Sequence, residues 1–172
     1  TPVFDVPTTF RGYAPRALDG RFRGIVSLRD ALGSSLNVPA TRLAGQIGPD
    51  RLARTLHDAG LGTVDVRAGQ HGVSLALGSA ETRLVDLAEA YAALARGGVH
   101  QPVRLVLPAD GERDTRTTRR VFSAEAAFLT SRMLADAQAR RRTFGMETPI
   151  ELPRITAMIS STALDLPTHR QE

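Results

Sequence analysis

Apolar residues recur at helical spacing in the middle of the chain. Leu84, Leu87, Ala88, Tyr91 and Leu94 stand at i, i+3, i+4, i+7 and i+10, one face of a 3.6-residue repeat. They predict an amphipathic helix over 82–95, capped by Thr82 and stopped by Gly97-Gly98. Asp86 and Glu89, with Arg83 and Arg96 nearby, read as solvated salt-bridge partners on that helix. Shorter helices precede it. Ser27-Leu28-Arg29-Asp30 is close to a capping box and starts a short helix that Gly33 and Ser34-Ser35 interrupt. Asn37-Val38-Pro39-Ala40 starts another, with Asn37 as N-cap, an end near Gln46 and Gly48 as the stop. Pro49-Asp50 opens a third, with Leu52, Leu56 and Ala59 on one side and Gly60 and Gly62 at its end. Ser123 caps a second long helix running to about Ala139, and Arg140-Arg141-Arg142 sits where the helix dipole favours cations.

Strand signals are fewer. Residues 103–107 and 119–122 read as two strands around the turn Pro108-Ala109-Asp110-Gly111, and 155–159 as a last strand. Val73 to Gly78 is a short apolar run. The opening, rich in Pro, Thr and Gly, reads as an extended packed loop anchored by Phe4, Phe10, Tyr13 and Phe22. With 172 residues and no internal repeat, one domain is the simplest organisation. The pattern alone implies a helix-rich domain with some strand. No apolar stretch approaches the length of a membrane span, and the first residues show neither the basic nor the apolar part of a signal peptide. The natural beginning of an exported protein is therefore expected elsewhere.

Composition removes several chemistries. There is no cysteine, so thiolate catalysis, disulfides and cysteine metal sites are excluded. All 22 basic residues of the Lys+Arg count are arginine, so no lysine base, Schiff base or phosphate-loop lysine exists in these residues. His57, His71, His100 and His169 lack ligand spacing, so neither a metal nor a cofactor is expected. His57, on a helix, reads as a surface residue rather than a base. The net charge of +4 and the arginine run could suggest nucleic acid. Aromatics are 5% of the chain and are not interleaved with arginine, so no nucleic-acid partner is expected.

One candidate site remains. In Ser35-Leu36-Asn37 a hydroxyl and an amide two residues apart, on a tight loop between helices, can point into one cleft. The hydroxyl can relay a proton and the amide can hold a substrate carbonyl. On its own the tripeptide is more often helix capping.

Several segments in order change that weight. The stretches 5–10, 12–15 and 19–24 (DVPTTF, GYAP, DGRFRG) resemble the lead into the second motif of bifunctional, class A penicillin-binding proteins. Residues 26–32 and 34–40 (VSLRDAL, SSLNVPA) resemble that motif. Residues 71–78 and 87–95 (HGVSLALG, LAEAYAALA) resemble the segment after it, and Phe144-Gly145-Met146 with Leu152-Pro153 the lead into the third motif.

The resemblance implies an α+β, helix-rich, partial penicillin-binding transpeptidase-like domain, with a helical lobe and a few antiparallel strands. It implies a serine D,D-transpeptidase that cross-links peptidoglycan stem peptides and is acylated by β-lactams. Its cleft gathers S-x-x-K, S-x-N and K-T-G. Ser35 and Asn37 match S-x-N, with Ser35 in the proton relay and Asn37 on the substrate amide. The S-x-x-K element is expected before Thr1. Where K-T-G is expected, residues 156–162 read TAMISST with no lysine. Residues 1–155 are family-like and 156–172 diverge, which suggests upstream truncation and a change of reading frame near Arg154; one continuous native frame on resequencing would remove that idea. The chain is expected to be inactive alone. The rest of the penicillin-binding protein is the expected partner, in the periplasmic or extracytoplasmic space, membrane-anchored in the full-length protein. The alternative is a non-catalytic helical binding or scaffold module.

Overall fold

The computed structural model describes residues 1–17, 19–104 and 116–144. Within them the opening is a strand, not a loop. β1 (Pro2–Asp5) pairs antiparallel with β2 (Gly24–Ser27), placing Val3 opposite Val26. Both valines pack with Ala31 and Leu36 in a small core. Alternation along β1 sends Phe4 to the other side, so Phe4 is exposed, as are Tyr13 and Phe22. Three of the four expected aromatic anchors therefore lie outside the core. Phe10 and Tyr13 close a two-residue hairpin through paired hydrogen bonds of 2.7 and 2.8 Å. Arg11 and Gly12 at its tip have φ of 45° and 88°, the left-handed pair that such a turn needs.

α1 (Leu28–Gly33) starts as its sequence predicts. The Ser27 hydroxyl oxygen accepts the Asp30 backbone N–H at 3.0 Å and donates to the Asp30 carboxylate at 2.9 Å. α2 (Asn37–Ile47) departs from expectation at its first residue. Leu36 occupies the cap position, with no side-chain cap bond, and Asn37 is the first helical residue. Gly48, at φ 92°, turns the chain directly into α3 (Pro49–Asp58).

The main core lies between α3, the loop after it and a 3-10 turn at Val73–Leu77. Ala53, Ala59, Leu61, Val64 and Leu75 are buried there, and Leu52 and Leu56 pack against them from the predicted side of α3.

α4 (Leu84–Ala95) is the helix the periodicity predicts, turned the other way. Its Leu84, Leu87, Ala88 and Tyr91 are exposed, whereas Asp86 and Ala93 are buried. Asp86 is not solvated. It accepts two hydrogen bonds from Arg83, at 2.9 and 2.8 Å. Glu89 also turns inward. It accepts the Val103 backbone N–H at 2.7 Å and sits 3.2 Å from His100 Nε2. Arg83, not Thr82, takes the cap position. The small side chains of Ala90 and Ala93 allow α4 to approach its neighbours closely, and the bulky stripe is left outside.

β3 (Val99–His100) and β4 (Arg119–Arg120) form the second antiparallel pair. The returning strand falls within the predicted 119–122, but its partner lies wholly before the predicted 103–107, and residues 103 and 104 are not in a strand. Residues 105–107 and the expected turn at 108–111 lie outside the described residues. Ser123 caps α5 (Ala124–Leu134), accepting the Ala126 N–H at 3.1 Å. The predicted continuation to Ala139 is broken. Asp136 accepts the N–H groups of Gln138 and Ala139 at 2.9 and 3.1 Å and so starts α6 (Ala137–Phe144). An aspartate that offers its side chain to the following amides favours a new helix start over continuation. Arg140 and Arg141 accordingly sit within α6. The expected strand at 155–159 lies outside the described residues.

Candidate active site

The loop between α1 and α2 is held from below. Ser34 donates its hydroxyl to the Ala139 carbonyl at 2.7 Å in a buried contact. A Cβ at Gly33 would stand 2.5 Å from the Ala139 Cβ, so α6 packs on α1 at a distance only glycine permits. Arg29 of α1 pairs with Asp136 at the start of α6. The Arg29 guanidinium, with the Ala139 and Gln138 amides, holds the Asp136 carboxyl down to about 2.

On this base the tripeptide alternates. Leu36 points inward, 4% exposed, and its N–H donates to the Ala31 carbonyl at 2.9 Å. Ser35 and Asn37 face outward. Ser35 has φ 54°. For a residue with a Cβ this left-handed conformation is strained, and such strain persists where surrounding contacts over-determine it. Those contacts here are the Ser34 and Leu36 bonds on either side. The Ser35 hydroxyl makes no hydrogen bond among the described residues. The Asn37 amide group donates to the Arg16 carbonyl at 2.7 Å. Asn37 does not cap because it is already the first helical residue; its amide ties it to the opening segment, and its side-chain oxygen remains an acceptor for a substrate N–H.

Ser35, Leu36 and Asn37 line two clefts. One, about 310 Å³, is apolar and runs between α1, α2 and the 3-10 turn, past Leu28, Leu32 and Leu77. The other, about 350 Å³, is lined also by Ala17 and by the polar side chains of Asp19, Arg23, Ser34 and Thr143. Arg23 organises its wall. Its Nη2 donates to Asp19 at 3.0 Å and its backbone N–H to the buried Asp5 carboxylate at 2.9 Å. The Arg21 backbone N–H, helped by Arg23, draws the Asp19 carboxyl below its usual range. Arg23 and Asp19 therefore neutralise one another beside the tripeptide. This wall was missed by the sequence reading. Its one visible signal is the i, i+4 spacing of Asp19 and Arg23 inside the DGRFR segment.

The site can relay a proton through an exposed hydroxyl and hold an amide. Among the described residues that line it there is no free base to activate a nucleophile. The described histidines are elsewhere: His57 Nδ1 lies 3.2 Å from the Val64 carbonyl, His100 is engaged by Glu89, and His71 lines a separate cleft beside Phe10 and Val73. No cluster of three or more metal-ligating side chains occurs among the described residues.

Residues 5–148 match the penicillin binding protein transpeptidase domain family. The chain is 36% identical over 132 residues to penicillin-binding protein 1C of Escherichia coli K12, a match covering 77% of this chain and 16% of that protein. It is 32% identical over 142 residues to penicillin-binding protein 1B of Vibrio cholerae, covering 76% and 18%. Among solved structures it is similar to PonA1 of Mycobacterium tuberculosis in complex with penicillin V. The TM-score is 0.64 at 28% identity, over 77% of this chain and 40% of that one. The chain thus spans less than a fifth of the length of these two curated relatives. A matched segment that carries the Ser35-Leu36-Asn37 loop, on a fold shared with solved penicillin-binding proteins, places this chain in the transpeptidase-domain family of the penicillin-binding proteins.

Proposed function

We propose that the chain forms the S-x-N corner of a serine D,D-transpeptidase domain that cross-links peptidoglycan stem peptides and is acylated by β-lactams. The observation that carries this reading is the strained, exposed Ser35 beside Asn37 at the mouth of two clefts. Ser35 relays the proton of the nucleophile, and Asn37 holds the substrate amide through its side-chain oxygen. Acyl transfer needs a serine with an adjacent base, and in this family that base is the lysine of S-x-x-K. None of the 172 residues is lysine. The nucleophile and its base therefore come from outside these residues, and the chain is inert alone. The reading implies action outside the cytoplasmic membrane, with the anchor in another part of the protein.

Two measurements test this. The purified chain is incubated with a labelled β-lactam and its intact mass recorded; no covalent adduct is expected, and a stoichiometric adduct overturns the claim of inertness. Residues 5–148 are then grafted into E. coli penicillin-binding protein 1C in place of its matched segment. Ser35→Ala and Asn37→Ala are each expected to slow acylation of the graft by ~10²-fold or more. Unchanged acylation in both variants sinks the assigned roles.

A second reading, a non-catalytic binding module, is favoured by one observation: the large apolar side chains exposed on α4 and α5.

A further inference from the structure

A third cleft, about 780 Å³, opens between the Phe10–Tyr13 hairpin, the start of α3 and the 69–74 loop, and it shares no lining residue with the two clefts at the tripeptide. Its floor is tight. A Cβ at Gly45 of α2 would stand 3.4 Å from the Phe10 ring and 3.6 Å from the Val73 side chain, so both apolar groups close directly on the helix backbone. Its rim is polar. Arg11 stands at the hairpin tip with φ 45°. The first position of such a turn favours asparagine, aspartate or glycine, and a left-handed backbone is strained in arginine. Arg11 and Ser35 are the two non-glycine residues with positive φ among the described residues, and each lines a cleft. Nothing in the fold rewards the arginine: its guanidinium makes no hydrogen bond or ion pair among the described residues. Strain kept without a structural return is a mark of functional positions. His71 lines the same cleft, and its Nε2 is buried without a hydrogen-bond partner. Native proteins leave few such atoms unpaired.

We propose that this cleft binds a neutral saccharide, with a sugar ring against Phe10 and Tyr13 and its hydroxyls on Arg11 and Asp50. The aromatic pair supplies apolar ring surface, and Tyr13, 39% exposed, presents part of it to solvent. Asp50 uses one carboxylate oxygen to accept the Gly69 N–H at 2.9 Å and keeps the other as an acceptor. Ser74 adds a hydroxyl. Donors on Arg11 and an acceptor on Asp50 suit a ligand whose every hydroxyl does both. The charges decide the class. Beside the imidazole, one guanidinium and one carboxylate sum to zero. An anion here meets Asp50 and an ammonium meets Arg11, whereas an uncharged polyol meets neither repulsion. An apolar floor with a few polar groups at its rim is the general form of a small-ligand site, and the volume falls within the usual range of ~300–1,000 Å³. Saccharide binding at this place needs neither the missing lysine nor the acyl-transfer reading.

Binding is read by protein-observed NMR on the full chain, with tri-N-acetylchitotriose and maltotriose as the probes. At least one is expected to bind with a Kd of about 1 mM or below, shifting resonances of residues 10–13 and 69–74. Arg11→Asn places a favoured residue at the turn. It is expected to weaken binding at least ~tenfold, the factor that a lost charged hydrogen bond carries, while the thermal midpoint holds or rises. Asp50→Asn, which retains an oxygen for the Gly69 N–H, is expected to weaken binding too. Phe22→Ala, outside the cleft, is the control expected to bind as before. No binding of either trisaccharide overturns the proposal, as does binding that Arg11→Asn leaves intact. Inorganic phosphate that shifts the same residues when neither trisaccharide does overturns it in favour of an anion site. Adenosine that binds more tightly than both trisaccharides overturns it in favour of a flat heterocycle.

Discussion

Ser35 shows how a site can be visible as letters and invisible as geometry. Its spacing from Asn37 is in the sequence, and its φ of 54° is not. A serine gains nothing locally from a left-handed backbone, which costs ~1–2 kcal/mol for residues with a Cβ. The surrounding bonds of Ser34 and Leu36 enforce it. Glycine relieves that strain and loses more entropy on folding, two terms of similar size. Ser35→Gly is therefore expected to leave the thermal midpoint unchanged or slightly raised, while acylation of the graft falls as in Ser35→Ala. A marked loss of stability in calorimetry would show that the hydroxyl is structural. Asn37 makes a related point. Asparagine before a proline-containing first turn predicts a cap, but Asn37 stands one position inside the helix, and its amide donates to the carbonyl of Arg16, 21 residues away, at 2.7 Å. No local rule contains that long-range partner.

Among the elements, the fate of the motif loop depends on α6, which the sequence reading merged with α5. The pair Arg29–Asp136 joins α1 to the start of α6. Asp136 titrates near 2 in the folded chain, below the ordinary aspartate value of 3.8. A folded-state pKa that is depressed contributes stability above the unfolded value and loses it as pH falls through the folded one. Wild type is thus expected to exceed Asp136→Asn in denaturant midpoint at pH 7, with the difference shrinking between about pH 4 and pH 2. Asp65, held to about 2 by Arg67, titrates over the same range in both proteins and cancels in the difference. A pH-independent difference would mean that Asp136 acts only as the cap of α6. At this scale helix starts at Ser27 and Ser123 were legible because a hydroxyl capping the next amides is a local interaction. The break at Asp136 used the same chemistry, hidden inside a run of good helix formers. The opening strand was illegible because β1 finds its partner at β2, some twenty residues on.

Among the described residues, eight of the fourteen buried hydrophobic side chains are alanine, with Leu61 and Leu75 the large aliphatics buried in the main cluster. Leu75 reaches it from the 3-10 turn and is 3% exposed. Leu75→Ala is expected to cost ~2–5 kcal/mol, a large part of a domain's total of ~5–15. Chemical denaturation reads this directly, and a change below about 1 kcal/mol would show that the cluster does not carry the fold.

Taken by itself, the sequence determined the helix-rich class, most helix positions, the Ser35-Leu36-Asn37 loop and the exclusion of lysine and cysteine chemistry. These depend on residue identity and on contacts a few positions apart. The tertiary structure alone decided which side of α4 faces inward, where the Asn37 amide is tied and that α6 braces the motif loop. Hydrophobic period marks a face without naming what covers it. That choice depends on which elements are present to pack, and here the polar residues of α4 found partners inside while its apolar stripe stayed outside.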